Sequence, residues 1–172
     1  MYTYLLDTYK ENDLTYDSFN KGKLESQLAY DGNYKAYFEF IADSLKRYSS
    51  QRDKQKGEAF VHGFTLAMTS QNQFYRPISE LDNDGGYADI FLSPLCDIYK
   101  DMVDSYIIEL KYCKTNTADE QLQVLFKEAS AQICRYANSD IVKESVKTTK
   151  LHKLVVIYRG AEMVMCEEVT EE

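Results

Sequence analysis

Tryptophan is absent from this chain of 172 residues, and proline (two) and glycine (seven) are scarce. So little Pro and Gly, with 44% hydrophobic and 13% aromatic residues, excludes low-complexity, collagen-like and disordered classes. No apolar run approaches the ~20 residues that span a bilayer, so no membrane partner is expected. The first residues, Met1-Tyr2-Thr3-Tyr4-Leu5-Leu6-Asp7, lack the basic n-region of a signal peptide. Cysteine is sparse too: Cys96, Cys113, Cys134 and Cys166 contain no Cys-x-x-Cys, and His62 and His152 complete no zinc pattern. Free thiols in a cytoplasmic protein are the expectation. A Gly-x-x-x-x-Gly-Lys-Ser/Thr phosphate loop is missing, which excludes that type of ATPase module from this chain. Basic charge is in the minority, giving a net −8. Coating a polyanion by charge alone is therefore disfavoured. Chemistry on a polyanion stays compatible where a bound cation and a local basic patch compensate.

What is present is enough for one domain with a real core. Residues 1 to about 14 carry Tyr2, Tyr4, Leu5 and Leu6 with no apolar partner nearby. A helix is expected from about Tyr16 to Tyr30, stopped by Asp31-Gly32-Asn33. A second follows from Tyr34 to Tyr48, where Tyr34, Tyr37, Phe38, Ile41, Leu45 and Tyr48 fall on one stripe. Arg52 to Ser70 reads as a third, apolar nearly all round at its centre and so expected to be buried. Within it Gly63 points to close backbone packing, His62 to a packed core histidine, and Glu58 to an acid at the first buried turn that needs a partner. Strands are expected at Asn72–Leu81, at the run through Ala88-Asp89-Ile90-Phe91-Leu92, at Ser105–Lys111, at Leu151–Tyr158 and at Met163–Val169. Thr117-Ala118-Asp119-Glu120 reads as a capping box opening a helix with the stripe Leu122, Leu125, Phe126, Ala129, Ile133, Tyr136, interrupted by Gln132. This order implies a mixed sheet flanked by helices.

The stretch from Asp84 to Lys111 concentrates the chemistry. Asn83-Asp84-Gly85-Gly86 is a hairpin turn signal, and Asp89 is a lone acid in the strand after it. Glu109-Leu110-Lys111 ends the next strand. Glu109 and Lys111 share a face, ~6.7 Å apart along the strand, and a paired neighbour lies only ~4.8 Å away. Asp89 can therefore stand beside them. Two carboxylates and a lysine at one end of a sheet make a site for a divalent cation and the water it activates. Glu-x-Lys alone also describes an ordinary solvent-facing ion pair of ~0–1 kcal/mol. Against that, Ile107 lies on the face of Glu109 while Ile108 and Leu110 lie on the other. A strand apolar on both faces is central, and active sites of α/β sheets sit at such strand ends. Taken singly, Asp89 also reads as a turn-capping acid, Glu58 as an acid favoured by a helix dipole, and Gln132 as an amide at the rim of a core stripe. Cys113 and Cys134 read as buried thiols rather than nucleophiles. Lys143, Lys147, Lys150, His152 and Lys153 form a small basic cluster, either a solvated helix face or a backbone contact for nucleic acid, and Arg52, Lys54 and Lys56 share that ambiguity.

Gly86-Tyr87-Ala88-Asp89-Ile90, Glu109-Leu110-Lys111 and Ala129-x-x-Gln132-Ile133-x-x-Tyr136, in this order over roughly Gly57 to Val169, resemble the motifs of the PD-(D/E)XK nuclease superfamily. Tyr87 stands where an arginine is common in that family. The most similar subgroup is the bacterial nuclease-like domain that often lies C-terminal to an AAA-type ATPase-like domain. The resemblance implies an α/β, restriction-endonuclease-like mixed central sheet flanked by helices. With the helical pair read ahead of it, the chain is expected to comprise an N-terminal helical extension (1–50) and a nuclease-like domain (51–172). The resemblance also implies Mg²⁺ or Mn²⁺ on Asp89, Glu109 and the Leu110 carbonyl, with Lys111 as catalytic lysine and Glu58 and Gln132 in support. Beside the metal, burial is expected to lower the pKa of Lys111 and suit it to work as a base. The activity implied is hydrolysis of DNA phosphodiester bonds, with an ATPase-like domain outside this chain as a possible partner. The alternative it leaves open is a catalytically inactive module of the same fold that mediates protein or nucleic-acid contacts in a larger ATPase-linked protein.

Overall fold

The structure, a computed structural model, describes residues 18–48, 57–83 and 86–170. The expectations for residues 1–14 and for Arg52, Lys54 and Lys56 lie outside these residues. Among the described residues two helices come first, α1 (Ser18–Tyr30) and α2 (Tyr34–Tyr48), joined through Gly32, whose φ of 65° only glycine adopts freely. Helix α3 (Glu58–Thr69) leads into the hairpin β1 (Tyr75–Asn83) and β2 (Gly86–Pro94), then the central strand β3 (Asp104–Cys113). A crossover of α4 (Asp119–Ala137) and α5 (Asp140–Val146) returns the chain to β4 (Lys150–Arg159), and β5 (Glu162–Glu168) closes the sheet.

The five strands run in sequence order across the sheet. Only β3 and β4 are parallel, as the long helical crossover between them requires; the other neighbours are antiparallel. Pro77 is tolerated because β1 is an edge. The sheet is buried on both faces, and strand alternation divides the core. Ile90, Leu92, Tyr106, Ile108, Leu110, Leu154 and Val156 point towards α1, α2 and α3, where they meet Leu28, Phe38, Ile41, Leu45 and Val61. Phe91, Ile107, Val155 and Ile157 point the other way, against Leu122, Ala129, Ile133 and Tyr136 of α4 and Val142 of α5. The hydroxyl of buried Tyr106 donates to the Leu28 carbonyl at 2.7 Å, tying α1 to the middle of β3.

Several expectations shift. Strand β1 starts three residues late because the Asn72 side chain accepts from the Phe74 amide at 2.8 Å, a local turn that competes with extended pairing. Helix α3 is buried along one side only, through Val61, Thr65, Met68 and Thr69. Gly63 is exposed, and a Cβ placed there would meet nothing within 4 Å, so close backbone packing does not explain it. The capping box does not form: Ala118 is the N-cap of α4 and no side chain bonds there. The basic cluster is not one helix face. Lys143 lies on α5, Lys147 follows it and pairs with Asp97, and Lys150 pairs with Glu168. His152 is buried in β4, with Nε2 2.8 Å from Asp104 Oδ1 and Nδ1 2.9 Å from Glu168 Oε1. All four cysteines are free.

Candidate active site

The hairpin and the central strand bring Asp89 and Glu109 together at the place where β2 leaves β3. Their ladder runs from Leu92↔Tyr106 to Ile90↔Ile108 and stops. In that register Asp89 comes opposite Glu109, and the next backbone acceptor for the Leu110 amide would be Ala88. Instead the amide of Leu110 donates to Asp89 Oδ2 at 2.7 Å. A carboxylate has taken the place of a backbone carbonyl, and the two strands part around it. In extended backbone the carbonyl of a residue lies on the same edge as its N–H, so the Leu110 carbonyl faces this opening too.

Glu109 is 2% exposed although it is charged at the sequence level. Its Oε1 accepts from Lys111 Nζ at 2.8 Å, the same-face neighbour that strand alternation predicts. Its Oε2 is sealed from solvent and has no hydrogen-bond partner among the described residues. A buried oxygen without a donor is costly, about 1–3 kcal/mol and more for a charged group. Burial first, and then the negative charge of Asp89, push the Glu109 carboxyl up to about 7, against the pull of Lys111 and the nearby Asp89 amide. Asp89 is also raised, by burial; the Leu110 amide, Lys111 and His62 oppose the rise and Glu58 adds to it.

The lowered pKa expected of Lys111 belongs to the ion-bound site; the protein groups alone act the other way. Burial pulls its pKa down, but the hydrogen bond and charge of Glu109, together with Asp89 and Glu58, outweigh it, and the net shift is upward. The ammonium is therefore held charged in this arrangement rather than poised as a base.

Glu58 opens α3 and is exposed, not buried; its charge nevertheless reaches both Asp89 and Lys111. Gln132 lies half-buried on α4 between Ala129 and Ile133, and none of the hydrogen bonds joining Asp89, Glu109, Leu110 and Lys111 extends to it. His62, expected as a packed core residue, is half-buried one turn after Glu58, and its Nε2 lies 3.1 Å from the Asp89 carbonyl and 3.4 Å from Ser79 Oγ. Its Glu58-to-His62 spacing of one helical turn was the available sign that both reach the same edge.

The site supplies two converging carboxylates, one with a free buried oxygen, and a fixed cation. Among the described residues no group of three or more His, Cys, Asp or Glu side chains is placed to hold a metal ion. A metal held here would thus take two carboxylates, backbone oxygen and water, a donor set suited to a hard divalent ion and unsuited to zinc. No described helix is long and apolar enough to cross a membrane.

A five-stranded mixed sheet flanked by helices, with acid, acid and lysine where the second and third strands diverge, is a restriction-endonuclease-like α/β fold. The family model of the PD-(D/E)XK nuclease superfamily matches residues 56–168, and the chain belongs to that superfamily. Its members generally use divalent metal ions. No curated protein and no solved structure matches the chain.

Proposed function

We propose that this protein is a divalent-cation-dependent nuclease that hydrolyses phosphodiester bonds at the Asp89–Glu109–Lys111 site. The observation that carries the reading is Glu109 Oε2, a buried carboxylate oxygen with no hydrogen-bond partner among the described residues, beside a second carboxylate. A folded protein tolerates such an atom where a positive ligand completes it. Asp89 through its free oxygen, Glu109 through Oε2 and the Leu110 carbonyl are the groups that would hold the ion. When bound, a Mg²⁺ or Mn²⁺ ion neutralises charge at the phosphate and acidifies a coordinated water.

The remaining work falls to the chain. Lys111, kept cationic by Glu109, is suited to hold a phosphate oxygen or orient the attacking water rather than to take its proton. Asp89, anchored by the Leu110 amide, fixes the spacing of the two carboxylates. Glu58 adds negative charge at the rim, and Gln132, on the helix covering the same sheet face as Glu109, is the proposed supporting amide. DNA as substrate, Mg²⁺ or Mn²⁺ as the ion, a cytoplasmic setting and an ATPase-like module outside this chain belong to the same proposal. The substrate, the ion and the ATPase-like module rest on the resemblance of the motif residues, and the cytoplasmic setting on the free cysteines.

The test is titration of the protein with Mn²⁺ by calorimetry, beside plasmid nicking in Mg²⁺. Binding by the wild type that is lost in Asp89→Ala, and nicking that is lost in Lys111→Ala with the ion still bound, support the reading. Equal Mn²⁺ heats in wild type and Asp89→Ala remove the metal role.

A further inference from the structure

We propose that His62 is a positioning residue that pins the Asp89 peptide where β2 separates from β3. A carbonyl oxygen only accepts, so the 3.1 Å approach of His62 Nε2 to Asp89 O means that Nε2 carries a proton and donates it. The bond comes from α3, the helix that also carries Glu58, and crosses to a strand with which α3 shares no backbone pairing. Its location matters more than its strength. On the β3 side, backbone pairing of β2 ends at Ile90, and Asp89 is joined to β3 through its own carboxylate and the Leu110 amide. On the β1 side, Ser79, which faces Ile90, places its Oγ 3.4 Å from the same His62 nitrogen. The imidazole thus sits over the last fully paired step of β2 and holds the first residue beyond it.

Freed of that tether, the Asp89 peptide can turn about its own dihedrals. The carboxylate then loses its fixed distance to the Leu110 amide and to Glu109. If the Asp89–Glu109 pair holds a divalent ion, a part of the inference that rests on the function proposed above, a looser Asp89 weakens that ion. Partners that orient a ligand in this way change metal affinity by about 10–100-fold when removed. His62 touches neither the ion nor the substrate in this scheme; it acts through Asp89.

Two measurements on wild type, His62→Ala and His62→Gln decide it, with thermal melts establishing that each variant is folded. Glutamine can place an N–H near the position of Nε2, so it is the conservative replacement. Amide hydrogen exchange at Leu110, followed by NMR without added metal, reads the Asp89–Leu110 bond directly. The expected result is exchange about 10-fold faster in His62→Ala and near the wild-type rate in His62→Gln, with Val156 and Ile108 unchanged in all three. Calorimetric Mn²⁺ affinity is expected to fall about 10-fold or more in His62→Ala and to recover in His62→Gln. Wild-type exchange at Leu110 in His62→Ala overturns the positioning role. Faster exchange with unaltered Mn²⁺ affinity overturns its consequence for the ion. A wild type that binds no Mn²⁺ counts against the proposed function, while the Leu110 exchange rates still decide whether His62 positions Asp89.

Discussion

Replacing Glu109 by Gln should make the protein less sensitive to pH, and more stable above neutrality. The carboxyl goes from an ordinary value of 4.5 to about 7 in the folded chain because it is buried next to Asp89. A raised carboxylate pKa means that the native state binds more protons than the unfolded chain between those values. The slope of unfolding free energy with pH is set by protons bound in the unfolded state minus those bound in the native state, so it is negative here. The native state is therefore least penalised at low pH and loses stability as pH rises through 4.5 to 7. The full cost of ionising Glu109 is on the order of 3 kcal/mol, from ~1.4 kcal/mol per pKa unit, and about 2.5 kcal/mol of it falls between pH ~5 and ~8. Glutamine has nearly the same shape, can still accept from Lys111 through its oxygen, and does not titrate. Urea unfolding in EDTA at both pH values gives the comparison. Subtracting wild type from Glu109→Gln cancels the other titrating groups, and the difference should favour the variant by about 2.5 kcal/mol more at the higher pH. Equal differences at the two pH values would refute the claim that Glu109 is raised by burial.

Removing the counter-ion instead, with Lys111→Met, leaves the Glu109 carboxylate buried and unpaired; a loss of about 3 kcal/mol is expected in urea at pH ~8, shrinking at pH ~5 where the carboxyl takes a proton. Tyr106→Phe strands the Leu28 carbonyl without its 2.7 Å donor, although Tyr75 Oη remains 3.3 Å away, so a cost of only about 1 kcal/mol by thermal unfolding is expected. Gly160→Ala should cost at least ~1 kcal/mol, because φ there is 63° and the new Cβ would stand 2.7 Å from Thr115 Cγ2; calorimetric melting checks it.

The parts of the fold written in local period were legible. Alternation in Ser105–Lys111 identified a strand buried on both faces and put Glu109 and Lys111 together. The stripe from Leu122 to Tyr136 identified the helix that covers them. What escaped depends on through-space contacts. Helix α5 has seven residues and a single buried one, Val142, too few for a period to show. Glu58 shares the helical face of the buried Val61 and Thr65, yet it is the first residue of α3 and is exposed, so its position on the stripe misled. For Lys111, burial and the adjacent Glu109 pull in opposite directions, and Asp89 and Glu58, distant in sequence, add to the upward side. The contact of His62 joins residues 27 apart in the chain, and the amide that Asp89 captures is 21 away.

A boundary drawn by likeness is not a boundary drawn by burial. The superfamily match begins at residue 56, but the wall against which Tyr106, Ile108, Leu154 and Val156 rest is built largely by Leu28, Phe38, Ile41 and Leu45, all upstream of it. Trimming the chain to the matched segment would peel the lining off one side of the sheet and bare its most apolar strands to water. Recombinant fragments for crystallisation or assay should therefore keep the helical hairpin, and a shortened version that precipitates would report on its missing cover rather than on its catalytic residues.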